Sequence, residues 1–167
     1  ILNEEFRVEE EDFFCSILPT TTQYSRNAIF AGMLPAEIER HYKKWWKNDM
    51  EEGGKTNHEE DLLQAQVSRL VRRDIKVGYT KITNVSKAKQ LEDSILDYLH
   101  NDLTVIVYNF IDMLSHARTE MEVLKELAGD EKAYRSLTAS WFRNSQLWSA
   151  LRRVAEKGDV KLIVTTD

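Results

Sequence analysis

The spacing of apolar and polar positions changes period several times along the chain, and each change predicts a new element. Asp12 to Leu18 carries Phe13, Phe14, Ile17 and Leu18 and runs into Pro19, which has no N–H for a ladder and disfavours helix before it, so this stretch reads as a short strand. After Thr20-Thr21-Thr22, the residues Tyr24, Ala28 and Ala31 recur at helical spacing up to Gly32, a natural stop; a threonine therefore stands at a helix N-terminus. Pro35 then opens a helix over Ala36–Asp49, with Ile38, Tyr42, Trp45 and Trp46 as its apolar side. Glu51 to Lys55 is loop. Asn57 with Glu60 three residues on forms a cap for a helix carrying Leu62, Leu63, Val67, Leu70 and Val71, ending near Arg72-Arg73.

Val77–Ile82 is short and turn-flanked, which predicts a strand, and Ala88, Leu91, Ile95, Tyr98 and Leu99 form the stripe of the next helix. Leu103 to Phe110 is too continuously apolar for a half-exposed strand and reads as a buried one. Thr119, paired with Glu122 in a capping box, starts a helix that Gly129 ends. Leu137, Trp141, Trp148 and Leu151 place one long helix next, Gly158 punctuates, and the β-branched run Val160 to Thr166 predicts a last strand. Strands alternating with helices give an α/β class, a mostly parallel central sheet flanked by helices.

Composition narrows the function. The 167 residues hold 23 Lys+Arg and 28 Asp+Glu, a net charge of −5, so bulk charge does not attract duplex nucleic acid or an anionic membrane surface. No apolar run approaches the roughly 18 residues of a membrane span. One cysteine, Cys15, excludes an internal disulfide framework and fits a reducing cytoplasm; lying in an apolar strand, it reads as an inert buried thiol. The acidic start, Glu4 to Glu11, is the opposite of an export signal. Because the chain begins at Ile1 and stops at Asp167 directly after a strand, it is expected to be a piece of a larger protein.

In an open α/β sheet, ligands gather beyond the carboxyl ends of the strands. Those ends carry Thr22, then Asp112 and His116, then Asp167. Asp112 and His116 are four residues apart, a spacing that lets one oxygen and one nitrogen reach a single ion, zinc first and manganese second. A capped turn with a solvated histidine is the plainer reading of the same spacing, as a helix cap is for Thr22 and a turn residue for Asp167. His41, His58 and His100 lie in polar helical surroundings, and Trp45, Trp46, Trp141 and Trp148 read as core or interface. Arg72, Arg73 and Lys76 are too few for a nucleic-acid footprint.

Taken in order, Pro19-Thr20-Thr21-Thr22 before a helix, Asp112-Met113-Leu114-Ser115-His116 after a strand, and Thr165-Thr166-Asp167 resemble the alkaline phosphatase superfamily. The stretch Ser16 to Gly32 resembles its PglZ branch, and in particular the output domains of PorX-type response regulators linked to type IX secretion in Bacteroidota. The resemblance covers residues 1–167 as part of one PglZ domain with an alkaline-phosphatase-like core. It implies that the first metal-ligand strand and the C-terminal portion of such a domain are missing.

That resemblance implies two metal ions, usually zinc, flanking a threonine nucleophile. Thr22 takes the nucleophile position; Asp112 and His116 would serve one metal, Thr22 and Asp167 the other. A hydroxyl bound to a divalent cation becomes a usable nucleophile near neutral pH, and the amides after Thr22 supply an anion site. Arg26, one turn along the same face, and Asn27 are candidate phosphate contacts, although an arginine there is more often simply solvated. The implied activity is a metal-dependent phosphoesterase, a phosphodiesterase acting on nucleotides or oligonucleotides, with a sensor kinase and other regulatory proteins as partners of the parent protein, no membrane, and a homodimer left open. The alternative is a non-catalytic signalling module that binds partner proteins and holds zinc for structure or regulation.

Overall fold

Val77–Ile82 (β1) and Leu103–Tyr108 (β2) lie parallel in register, Val77 opposite Leu103 and Ile82 opposite Tyr108. A parallel pair needs a crossover, and here it is Val85–Ser94 (α4) followed by a 3-10 segment, Ile95–His100. Asn84 starts the crossover: its side chain accepts from the Lys87 N–H at 2.9 Å. Asp102 closes it, its carboxylate accepting from the Lys76 N–H at 2.8 Å. The structure is a computed structural model that describes residues 1–48, 51, 54–110, 126 and 129–167. The described chain divides into two units, Ile1–Glu10 with Lys76–Lys161, and Glu11–Ile75 with Leu162–Asp167.

The first unit is the α/β part. After β2 come Glu131–Arg143 (α5) and Gln146–Lys157 (α6). Leu91 and Ile95 of the crossover, Ala150 and Val154 of α6 and Ile82 of β1 form its buried core. The single long helix expected from Leu137 to Leu151 is instead two. Asn144 leaves helical geometry, and the Ser145 hydroxyl donates to the Phe142 carbonyl at 2.7 Å while accepting from the Trp148 N–H at 3.1 Å. One serine thus closes α5 and caps α6, which the regular spacing of Trp141 and Trp148 conceals. β2 is parallel as expected, but it ends at Tyr108 and is half-buried rather than buried, having one neighbouring strand among the described residues. The first residues are tied on by Glu4, whose two carboxylate oxygens accept from Arg143 at 2.7 and 3.0 Å.

The second unit is helical: Thr22–Ala31 (α1), Pro35–His41 (α2) and Glu59–Leu70 (α3). Gly32 ends α1 at φ 57°, a left-handed conformation open to glycine, and a Cβ there would run into the Gln66 amide of α3. α2 keeps Pro35 at its start but stops at His41, short of the expected Asp49. Continued as a helix, Trp45 and Trp46 would leave together on one side. The turn, in which both of their N–H groups return to the Tyr42 carbonyl, stacks Trp45 on Tyr42 with 5.0 Å between ring centroids and buries Trp46 against Tyr24 at 5.7 Å. α3 begins one residue later than the Asn57 cap implies. His58 occupies the cap position and its Nδ1 pairs with Asp61 Oδ2 at 2.7 Å.

Two expected strands are corrected. Neither Asp12–Leu18 nor Val160–Thr166 pairs with a strand among the described residues; Phe13 is 90% exposed and Ile163 78%. Apolar alternation supplies a face, but a strand also needs a neighbour for its N–H and C=O groups. Cys15 is accordingly exposed, not buried. The helix expected between Thr119 and Gly129 falls largely outside the described residues. No helix among the described residues is long and apolar enough to cross a membrane.

Candidate functional site

Thr22 is the first residue of α1 and is exposed. Thr21 is the N-cap, in extended geometry with ψ 141°, and its side chain makes no capping bond. Its carbonyl accepts from the Tyr24 and Ser25 N–H groups at 2.9 and 3.0 Å. That leaves the N–H groups of Thr22 and Gln23, and the Thr22 hydroxyl, with no hydrogen-bond partner among the described residues. The first turn of α1 contains no acidic residue, so nothing on the helix offsets its positive end.

α3 is arranged differently. Contacts between the two helices advance in step: Arg26 meets Glu59, and further along Arg69 donates to the Ala31 carbonyl at 2.8 Å. α1 and α3 therefore run in the same sense, and their N-termini lie on one side of the unit. The first turn of α3 carries Glu59, Glu60 and Asp61, which answer its dipole from within. Of the two adjacent helix starts, α1 is the one whose first amides have no partner among the described residues, the arrangement an external anion can use.

Arg26 lies one turn beyond Thr22 on the same face. It is not a solvated arginine: its side chain is 11% exposed and lies between two carboxylates, Nη1 at 3.6 Å from Glu59 Oε1 and Nη2 at 3.3 Å from Asp167 Oδ1. Asp167 thus comes to Thr22's helix through Arg26, although the segment leading to it is not a strand. Asn27 faces the interior, 1% exposed, and its amide donates to the Lys55 carbonyl at 3.0 Å, which ties the loop before α3 to α1. Its oxygen is buried with no hydrogen-bond partner among the described residues.

Sequence reasoning missed Glu59. It is 1% exposed, whereas its neighbours Glu60 and Asp61 are exposed. The available signal was redundancy, since three acids at one helix start are more than a dipole needs. Asp112 and His116, the expected ligands of one metal, lie outside the described residues. Thr22 and Asp167 are hard-oxygen donors suited to a divalent ion, but two donors fall short of the four that zinc takes, and Asp167 already faces a guanidinium. Among the described residues no group of three or more His, Cys, Asp or Glu side chains is placed to hold a metal ion. His41 lies against Arg40 and His58 against Asp61. Trp46 and Trp148 are core residues, as expected.

A parallel βαβ pair, and a threonine presented at an open helix N-terminus beside a buried arginine, are features an alkaline-phosphatase-like phosphoesterase can use. The sequence model of the BREX system PglZ alkaline phosphatase-like domain matches residues 1–167. The chain belongs to the PglZ family, and with it to a superfamily of phosphoesterase-like proteins that usually use metal ions. No curated protein matches it.

Proposed function

We propose that the chain carries the nucleophile side of a phosphoester-hydrolysing site, with Thr22 as nucleophile and Arg26 as the cation that meets the phosphoryl group. The observation that carries this reading is Thr22 itself, exposed at the start of a helix whose first two amides and hydroxyl have no partner among the described residues. A phosphoryl oxygen against those amides gains the helix's N-terminal charge and fixed N–H donors. The Thr22 oxygen then faces phosphorus, forming one O–P bond as the bond to the leaving oxygen breaks; water later cleaves the phosphothreonine. Arg26, fixed by its carboxylates, suits the charge on the transferring group.

Asp112, His116 and Asp167 are proposed as metal ligands, with Thr22. Bound divalent ions, zinc before manganese, would supply charge neutralisation and a lowered hydroxyl pKa. Asn27 is better suited to holding the loop at Lys55 than to touching substrate, because its amide nitrogen is engaged there. A finer assignment belongs to the same proposal: a cytoplasmic effector domain of a PorX-type response regulator, acting on nucleotides or oligonucleotides. It rests on the motif resemblance alone, as do the sensor kinase and homodimer as partners.

The test is hydrolysis of chromogenic aryl phosphodiesters and monoesters by zinc-loaded protein, with metal content measured alongside. The wild type should turn over, Thr22→Ser should retain part of the rate, and Thr22→Ala should lose it while keeping its fold. A fully metallated wild type inert on both substrate classes overturns the hydrolase reading in favour of a signalling module.

A further inference from the structure

We infer that the turn after α2, residues 42–47, is a binding surface for single-stranded nucleic acid, with a base stacking at Trp45 and the backbone phosphates meeting Lys43 and Lys44. As a subsite for substrate it rests on the reading of Thr22 given above; as a binding surface it stands by itself.

The chain is acidic as a whole, yet Arg40, Lys43, Lys44 and Lys47 fall within residues 40–47, which contain no acid. Arg40, in the last turn of α2, answers the negative end of that helix. Lys43 and Lys44 lie beyond the helix and are exposed. The two carboxylates of α2 are turned to other groups: Glu37 accepts from the Leu34 N–H at 2.9 Å and Glu39 from the Asn48 amide at 3.3 Å.

Charge alone would describe any solvated lysine pair. The second observation is aromatic. The turn returns the Trp45 N–H to the Tyr42 carbonyl at 2.8 Å and stacks the two rings, with 5.0 Å between centroids and 14° between planes. Both residues stay half-buried, while Trp46 takes the core position. The Lys44 ammonium lies over the Trp45 indole, 4.8 Å from its centroid. A cation over a partly exposed indole is weakly held, whereas a nucleobase gains more by stacking on the same ring. A base that takes the ammonium's place on Trp45 releases Lys44 to the adjoining phosphate. A single strand can use both features. A duplex hides its base faces and would meet the lysines only, and a peptide of Asp and Glu has no ring to stack.

The position of the turn suits the same ligand. The Gln23 side-chain amide donates to the Lys47 carbonyl, and Trp46 packs on Tyr24 at 5.7 Å, which fixes the turn against the first turn of α1, where Thr22 stands. A strand held at Trp45 is therefore held beside the helix start proposed to meet its phosphoryl group.

The experiment is fluorescence anisotropy of a labelled oligothymidylate of about ten nucleotides, a length that single-strand sites commonly span. It is titrated with the chelator-treated full chain, so that binding is read apart from cleavage. The wild type should bind saturably and more weakly as salt rises. Lys43→Ala/Lys44→Ala should weaken binding by about tenfold at low salt and reduce the salt slope by roughly 0.7 for each lysine removed. Trp45→Ala should also weaken it by about tenfold, with the salt slope unchanged, because stacking releases no counterions. Trp45→Leu, which keeps apolar bulk without a ring, gives the same test should Trp45→Ala not fold. Duplex DNA of the same length and an oligoglutamate peptide should each bind at least about tenfold more weakly than the single strand. Either of them binding as tightly as the single strand, or an affinity for the single strand that survives loss of the Trp45 ring, overturns the surface and leaves a plain charged patch. No oligothymidylate binding by a chain that, loaded with zinc, turns over aryl phosphoesters overturns the surface and leaves the reading of Thr22 standing. Binding that follows these variants in a chain inert on every phosphoester supports the surface and overturns the hydrolase reading.

Discussion

The βαβ unit closes over Ile82, Leu91, Ile95 and Val154, whereas the three-helix unit closes over Ile38 and Leu62 and, beside them, over Glu59, Asn27 and most of Arg26. A buried aliphatic side chain stabilises by about 1.5–3 kcal/mol. A buried ion pair does no such thing on balance, because desolvation offsets much of the attraction, and a well-packed apolar replacement is often as stable or more so. Charge in the interior of the helical unit is therefore not explained by stability. It lies one helical turn from the exposed Thr22, and on the proposed reading of Arg26 it serves the phosphoryl group rather than packing.

Substitutions can break this contrast or sharpen it. Thr22→Ala should have the largest effect, a loss on the order of a thousandfold in the rate of phosphoester hydrolysis, equivalent to about 4 kcal/mol. Its urea midpoint should hardly move, since exposed positions away from special features change stability by only about 0.5 kcal/mol. Leu91→Ala should do the opposite. That side chain is 2% exposed, so its truncation should cost about 2–4 kcal/mol in urea unfolding and leave phosphate affinity intact in the folded fraction. A Leu91 variant that loses phosphate binding while still folded would show that the separation of packing from chemistry is wrong.

Ser145→Ala comes next, at about 1 kcal/mol, because it removes the hydroxyl that joins the end of α5 to the start of α6; thermal unfolding measures it. The smallest effect concerns Glu4, whose hydrogen bond with Arg143, and then the Arg143 charge, hold its pKa below the usual 4.5. A lowered folded pKa gives stability that is complete above the unfolded value and is lost as pH falls through the folded one. Unfolding at pH 7 and at pH 3 should therefore differ more for the wild type than for Arg143→Ala, by a small amount because the pair is exposed.

The sequence made the local part of this architecture readable. The start of α1 at Thr22, its stop at Gly32, the strand–helix–strand run from Val77 to Tyr108 and the parallel direction of its strands all follow from caps, glycine and hydrophobic period. What depends on distant partners was not readable. Asp12–Leu18 and Val160–Thr166 have the composition of strands, yet strand formation is decided by a neighbour that composition does not specify. The break at Ser145 could have been seen as a cap, but two tryptophans seven residues apart imitate a continuous face.

The site divides along the same line. Thr22 announces itself by its position, whereas Glu59 looks like any acid at a helix start until α3 is packed in the same sense as α1. The part played by Arg26, suspended between Glu59 and Asp167, also depends on that packing. Asp112 and His116 are proposed as metal ligands from spacing and resemblance alone, and they lie outside the described residues.

The central claim is that an anionic phosphoryl group binds at the start of α1. Amide NMR of the full chain during titration with inorganic phosphate tests it most directly. Saturable shifts of the Thr22 and Gln23 N–H signals, weakened in Arg26→Ala and absent from the core of the βαβ unit, are the predicted result. Shifts that bypass Thr22 and Gln23, or that survive unchanged without Arg26, would contradict it.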